Sequence, residues 1–244
     1  MPAEAILIAG IFLGVFLIVL GAFIYYLYKE GKTRREISHF GDQAEKSVSE
    51  YIKKNFPDAQ VFDDVYLKTS RGLSQIDHIL VCRWGVYVIE TKSHNGLILT
   101  QNREWVQKTK NKTVRFYNPL KQNATHCMAL RNIINTQAAL KDIYVNGIVV
   151  FTSKSVRITG NNKGVIRLDQ LNDYIKTGDN LAFGERRKKH VPLTAKQGRR
   201  YLDRSAIKAI TRVILSNCET NPVKKHLHRE RIRDYRIYKN RRPH

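Results

Sequence analysis

The chain has 244 residues, 42% of them hydrophobic, which is enough for a packed core and excludes a disordered protein. Its 43 Lys and Arg against 21 Asp and Glu give a net charge of +22, pointing to an anionic partner, nucleic acid or an acidic membrane surface, without choosing between them. Three widely spaced cysteines, Cys82, Cys127 and Cys218, exclude a disulfide framework and a four-cysteine zinc site and fit a reducing compartment.

Residues 5–28, AILIAGIFLGVFLIVLGAFIYYLY, carry no charge. At about 1.5 Å per residue, a helix of this length crosses the roughly 30 Å hydrocarbon layer of a bilayer. A cleavable signal peptide needs a basic segment first and a shorter apolar run of about 7 to 15 residues, so the stretch reads as an uncleaved transmembrane anchor. Lys29, Lys32, Arg34 and Arg35 follow it, against Glu4 before it, which predicts a single-pass protein with its N-terminus outside and the remainder cytoplasmic. Residues 29–38 then read as a short basic juxtamembrane linker.

A helix is expected from Phe40, because Ala44, Val48, Tyr51, Ile52 and Phe56 share one face and Pro57 ends the run. Strands follow around VFDDVYL, QIDHILV and VYVIETK, with breaks at Arg71-Gly72 and at Arg83-Trp84-Gly85. Residues 97–100 and 113–117 suggest further strands, and the polar stretch between them suggests an exposed loop. Asn118-Pro119 predicts a helix start, with Leu120, Ala124, Cys127, Ile134 and Ala138 as its apolar stripe. Residues 145–151 predict a buried strand and 164–168 a short one, with Asp169 capping a helix after it. Another helix is expected from Thr194 to about Leu215, and the cation-rich segment beyond Cys218 reads as a mobile tail. The division is an anchor (1–28), a linker (29–38), one mixed α/β domain (39–218) and a basic tail (219–244).

The hairpin carries the chemistry. Side chains alternate faces along a strand, and a turn centred between Arg83 and Trp84 sets Asp77 opposite Glu90 and Gln75 opposite Lys92 on one face. Two carboxylates that close repel, and a divalent cation such as Mg²⁺ removes the repulsion while keeping waters for chemistry. Lys92 at its edge can orient an attacking water or stabilise charge building on a phosphoryl group. The plain alternative is an exposed Asp77–Lys92 ion pair. Against it, both faces of the hairpin are apolar beyond the polar end, as expected of strands covered on both sides. Glu45 falls on the apolar arc of the first helix beside Val48 and Ile52, so it should face the sheet, either as a third acid of the site or bonded to a backbone group or an arginine. Gln122 and His126, one turn apart, either reach the cleft or face water. His78 points to the other face of the sheet, and His94 flanks the site.

The ordered set Gly41 and Glu45, then Q-I-D-H (75–78), G-V-Y-V-I-E-T-K (85–92), Trp105, and N-P-x-x-Q (118–122) resembles the nuclease-related domain, NERD, over roughly residues 38–151. That family is regarded as a divergent branch of the PD-(D/E)XK nucleases. The resemblance implies a restriction-endonuclease-like core, a mixed central sheet flanked by helices. It implies that Asp77, Glu90 and Lys92 match the acid, acid and lysine of the signature, that Glu45 matches an acid of the first core helix, and that Gln75 matches a polar neighbour. Ile76 stands where the superfamily name has proline. The expected function is a membrane-anchored nuclease using Mg²⁺ or Mn²⁺ on DNA or RNA, with Asp77, Glu90 and Glu45 toward the metal and Gln75 and Gln122 accessory. The alternative is a catalytically inactive scaffold on the same fold that binds nucleic acid or anionic lipid headgroups. The basic clusters 186–189 and 199–200 and the tail suit either polyanion.

Overall fold

The computed structural model describes residues 3–101, 103–141, 143–160, 162–177 and 201–240. It divides into two compact units, Met1–Gln43 and Ala44–His244.

The first unit is helical over its described residues. Helix α1 runs unbroken over Ala3–Asn55, so the linker expected at residues 29–38 is a helix. A lone Gly31 with no proline explains this, since glycine costs only about 1 kcal/mol within a helix whose other residues favour it. Within α1, Leu13–Lys32 is long and apolar enough to cross a membrane, and it presents exposed apolar side chains such as Phe16, Ile18 and Val19.

The second unit begins with the last turns of α1, whose residues Ala44, Val48 and Ile52 are buried. A five-stranded mixed sheet follows, in the order β1-β2-β3-β7-β9. Strands β1 (Gln60–Thr69), β2 (Gly72–Cys82) and β3 (Gly85–Lys92) form an antiparallel meander. Strands β7 (Val145–Phe151) and β9 (Val165–Arg167) run parallel to β3. The β2–β3 register places Ile79 opposite Val88 and Cys82 opposite Gly85, as a turn centred on Arg83-Trp84 requires. Gly85 has φ +136°, a conformation that a side chain resists.

Both faces of the hairpin are covered. Ile79, Val81, Val86 and Val88 pack with Leu130, Ile133 and Ile134 of α2 (Pro119–Ile134) and with Ile210, Val213 and Ile214 of α4 (Arg204–Asn217). Leu80, Tyr87 and Ile89 pack with Val48 and Ile52 of α1 and with Leu171, Tyr174 and Ile175 of α3 (Leu171–Thr177). The domain is thus a mixed α/β fold, its sheet sandwiched between helices.

Several expectations are corrected. The polar stretch after residue 100 is not a loop: β5 (Glu104–Lys108) lies in a second sheet ordered β6-β5-β4-β8, with β4 at Leu97–Leu99, β6 at Thr113–Tyr117 and β8 at Arg157–Ile158. Its Trp105 is only 1% exposed and packs with Ile98, Val149 and Phe151. On α2, Asn118 caps as expected by accepting from the amides of Leu120 and Lys121, but Ala124 faces solvent while Asn123 is buried. Asn123 donates to the carbonyls of Val88 (3.1 Å) and Ile148 (2.9 Å), so a polar residue faces the sheet by tying two strands. The helix stops at Ile134, short of Ala138. Asp169 is not the cap of α3: Gln170 accepts from the Arg167 amide, and Asp169 pairs with the Arg167 guanidinium. Residues 178–200, which hold the expected helix start at Thr194 and the clusters 186–189 and 199–200, lie outside the described residues; α4 starts after its cap, Asp203. The segment expected to be a tail forms helix α5 (Pro222–Asn240). Pro222 opens that helix rather than breaking the chain, and Asn221 caps it.

Candidate active site

The β2–β3 ladder runs regularly from Cys82↔Gly85 out to His78↔Ile89. The next step outward sets Asp77 across from Glu90. There the pairing changes character, because the Thr91 amide donates to Asp77 Oδ2 at 2.8 Å. Glu90 is 2% exposed, and Lys92 Nζ donates to its Oε1 at 2.6 Å. From α2, Gln122 Oε1 stands 3.5 Å from Lys92 Nζ, and His126 Nε2 stands 3.7 Å from Glu90 Oε2. The other ring nitrogen of His126 is 2.9 Å from Ser74 Oγ. Gln122 and His126 both come to the strand ends, beside Lys92 and Glu90. Asn123 explains it: with that residue held to the sheet, its neighbours on the same turn are brought to the strand ends.

Glu45 is half-buried on α1, close enough that its charge acts on Asp77 and on the Tyr66 hydroxyl. Gln75 does not touch the Asp77–Glu90 pair; its amide donates to Asp64 Oδ1 at 2.9 Å. Asp64 was not anticipated. It has φ +48° and interrupts the β1–β2 ladder between Asp63↔His78 and Val65↔Ile76, at the position facing Asp77. Left-handed backbone at a non-glycine residue is uncommon and tends to gather at functional sites. Centring the preceding turn on Ser70-Arg71 would have aligned Asp64 with Asp77 from the sequence.

The electrostatics follow from this crowding. Burial, and then the negative charge of Glu90, push the Asp77 carboxyl up to about 7, against the opposing pull of Lys92 and the Thr91 amide. Burial holds His126 below its usual value, so the ring is neutral near pH 7. His94 is pushed down to about 4 by burial and by Lys92, and its ring stacks on Phe116 at 4.1 Å.

Behind the site, His78 joins a second set of bonds. Its Nδ1 lies 2.8 Å from Asp63 Oδ1, and its Nε2 lies 3.2 Å from Thr91 Oγ1. Asp63 also accepts from Ser49 Oγ (2.6 Å) and Lys53 Nζ (2.7 Å). An ionised carboxylate only accepts, so His78 Nδ1 donates to Asp63, and its other nitrogen faces the Thr91 hydroxyl. Thr91 is thereby held on both sides, by His78 through its hydroxyl and by Asp77 through its amide.

Among the described residues, no group of three or more His, Cys, Asp or Glu is gathered to hold a metal. The donor set still suits a hard cation. Asp77 and Glu90 are oxygen donors, the charge of Glu90 raises the Asp77 carboxyl, and Mg²⁺ commonly takes one or two protein carboxylates and keeps waters elsewhere.

Fold and site together define an α/β domain whose central hairpin brings two carboxylates and a lysine together at one strand end. Residues 40–152 match the family model described as NERD, nuclease-related domain. The chain is also similar to an uncharacterized protein of Bacillus anthracis, with 35% identity over 101 residues. That alignment covers 40% of this chain and 48% of the relative, so the chain spans about half the length of the curated relative it matches. No solved structure matches the chain.

Proposed function

We propose that the protein is a membrane-anchored nuclease that hydrolyses phosphodiester bonds in DNA or RNA with Mg²⁺ or Mn²⁺. The observation that carries this reading is the meeting of Asp77, Glu90 and Lys92 at one strand end, with Gln122 and His126 of α2 beside them. Asp77 and Glu90 would hold the cation, with Glu45 adding negative charge at its edge. When bound, such an ion supplies Lewis-acid polarisation of a phosphoryl oxygen and a more acidic water.

The chain's own groups do the rest. The Thr91 amide fixes the Asp77 carboxylate. Lys92, aimed by Gln122, orients the attacking water and offers an ammonium to the charge that grows on the phosphoryl oxygens. His126, neutral and tied to Ser74, can take up a proton beside Glu90. The apolar stretch Leu13–Lys32 would anchor the protein, with the basic residues after it keeping the catalytic part on the cytoplasmic side.

The full chain in detergent micelles, incubated with plasmid, linear duplex, single-stranded DNA and RNA, should cleave at least one of them only when Mg²⁺ or Mn²⁺ is present. Cleavage that persists unchanged in both Asp77→Asn and Lys92→Ala belongs to a contaminant and removes the reading. One observation favours a second reading, an inactive scaffold for nucleic acid or anionic lipid. The 2.6 Å contact of Lys92 with Glu90 neutralises the acid without a metal. Tight polyanion binding with no metal-dependent cleavage of any of the four substrates would select it.

A further inference from the structure

The positive charge is distributed unevenly along the chain. Residues 40–152, the part that matches the family model, hold 15 Lys and Arg against 10 Asp and Glu. Residues 153–244 hold 24 against 8, so most of the net charge lies outside the family match. A site built on Glu45, Asp64, Asp77 and Glu90 repels a phosphate backbone by itself. The cations that would draw a polyanion to it must come largely from elsewhere in the chain.

Helix α5 is placed to supply them. Its Pro222–Asn240 sequence carries seven Lys and Arg against two acids. The helix is anchored on strand β1 beside the site. The Glu219 amide donates to the Tyr66 carbonyl at 2.8 Å, and Cys218 bridges Leu67. His228 meets the Tyr66 ring edge-on at 5.8 Å, and Lys225 lies over it at 5.1 Å. Tyr66 is two residues from Asp64 and pairs with Gln75, two residues from Asp77.

The helical repeat sorts the remaining charges. With 3.6 residues per turn, Lys225, His228 and Ile232 form the face toward β1, and all three are partly buried. Lys224, which also pairs with Glu219 at 3.5 Å, and Arg231 lie along one flank of that face and Arg229 along the other, all three exposed. The charge of Arg229 acts on the same buried Tyr66 hydroxyl as the charges of Glu45 and Asp64. That hydroxyl has the Asp64 carboxylate as its hydrogen-bonding neighbour, which marks a polar spot beneath the helix on the side of the acids.

We propose that α5 is the phosphate-gripping element of this protein, in which Lys224, Arg229 and Arg231 bind the backbone of a nucleic acid whose scissile bond lies at the Asp77–Glu90 pair. The proposal rests on the nuclease reading for its orientation and names the surface that holds the substrate. A polyanion gains from three such contacts by releasing counterions, so the grip is independent of sequence and sensitive to salt. A membrane surface would use the same charges. The anchoring of α5 on the strand next to the acids favours the nucleic acid.

The test uses the full chain in detergent micelles and the triple variant Lys224→Gln, Arg229→Gln, Arg231→Gln, whose side chains keep helix propensity. Binding of a fluorescent 20-base-pair duplex is measured from about 50 to 200 mM salt, without metal. Each lost phosphate contact removes about 0.9 from the slope of log affinity against log salt, so the slope should shrink by about 2 to 3 and affinity should fall at least 10-fold. Hydrolysis of the small diester bis(p-nitrophenyl) phosphate by the unmodified protein, with Mg²⁺ or Mn²⁺, tests the nuclease reading separately from the grip. A charge-keeping set, Lys224→Arg, Arg229→Lys, Arg231→Lys, should restore both slope and affinity, which separates lost charge from lost fold. An unchanged slope in the triple Gln variant overturns the proposal. So does a variant that keeps duplex binding while losing attachment to phosphatidylglycerol vesicles. If the unmodified protein fails to hydrolyse the small diester, the nuclease reading fails, and the duplex arm still decides the role of α5.

Discussion

Asp77 and His78 are neighbours on β2 that point to opposite faces of the sheet, and the two sides treat their acids differently. On one side, Asp63 is held by Ser49, Lys53 and His78, and these bonds keep its carboxyl well below the usual range despite partial burial. On the other, Asp77 faces Glu90 with one amide and one lysine to offset it, and it is pushed up to about 7. The same strand pair thus carries one satisfied acid and one frustrated acid. A satisfied acid serves packing. A frustrated one is retained where something that binds there relieves it, and perturbed carboxylates in clefts mark functional sites for this reason.

The comparison breaks most severely on the frustrated side. Asp77→Asn, Glu90→Gln and Lys92→Ala should each lower metal-dependent cleavage by about 10²-fold or more, read as initial rates on a linear duplex. Folding should survive each change.

On the satisfied side, His78→Ala should act on stability first. It leaves Asp63 short of one donor and the buried Thr91 hydroxyl without its partner, a loss of about 1 to 3 kcal/mol measurable by urea unfolding. Because Thr91 also holds Asp77, cleavage at saturating metal should fall only about 10-fold or less, with a larger rise in the metal concentration needed.

The two acids should also show pH dependences of opposite sign in the metal-free protein. Asp63 has a depressed folded pKa, so the stability it contributes is present above the unfolded value near 4 and is lost as pH falls below it. Asp63→Asn should therefore cost most at neutral pH and little in acid. Asp77 has a raised folded pKa, so the wild type loses stability as pH rises from about 4 through about 7. Asp77→Asn should gain on the wild type over that window, measured by unfolding at pH 4, 6 and 8. Equal pH profiles for the two variants would erase the distinction between the faces.

The smallest effect is expected at Gln75. Its bond to Asp64 is one part-buried hydrogen bond, so Gln75→Ala should cost about 1 kcal/mol or less and change cleavage a few-fold at most.

Much of this was legible from residue order, and the exceptions have physical causes. The hairpin register was readable because turn length and side-chain alternation fix it, and with it came the opposition of Asp77 and Glu90. Strand β5 was not readable: Trp105 and Val106 sit among polar neighbours, and only the packing of the second sheet against Phe151 shows that the tryptophan is interior. The α2 stripe was misjudged at position 124 because periodicity weighs alanine above asparagine, whereas Asn123 earns burial through two backbone carbonyls. Helix α5 was hidden by its charge, since dense cations read as a solvated coil until Tyr66 gives the helix a seat. The place of Asp64 opposite Asp77 was open to the same register argument applied to the turn at Ser70-Arg71, whereas its left-handed backbone leaves no periodic trace.

Gly147 sits on β7 where an added Cβ would come within 3.0 Å of Cys127 Sγ and 3.1 Å of Asn123 Nδ2. Helix α2 therefore rests on the sheet at a standoff thinner than one methyl group. Since Gln122 and His126 ride on that helix, enlarging residue 147 would lift their tips away from Lys92 and Glu90 without altering either group. The bare backbone at this distant spot acts as a spacer gauge, calibrating from inside the core how far the helix can reach over the strand ends.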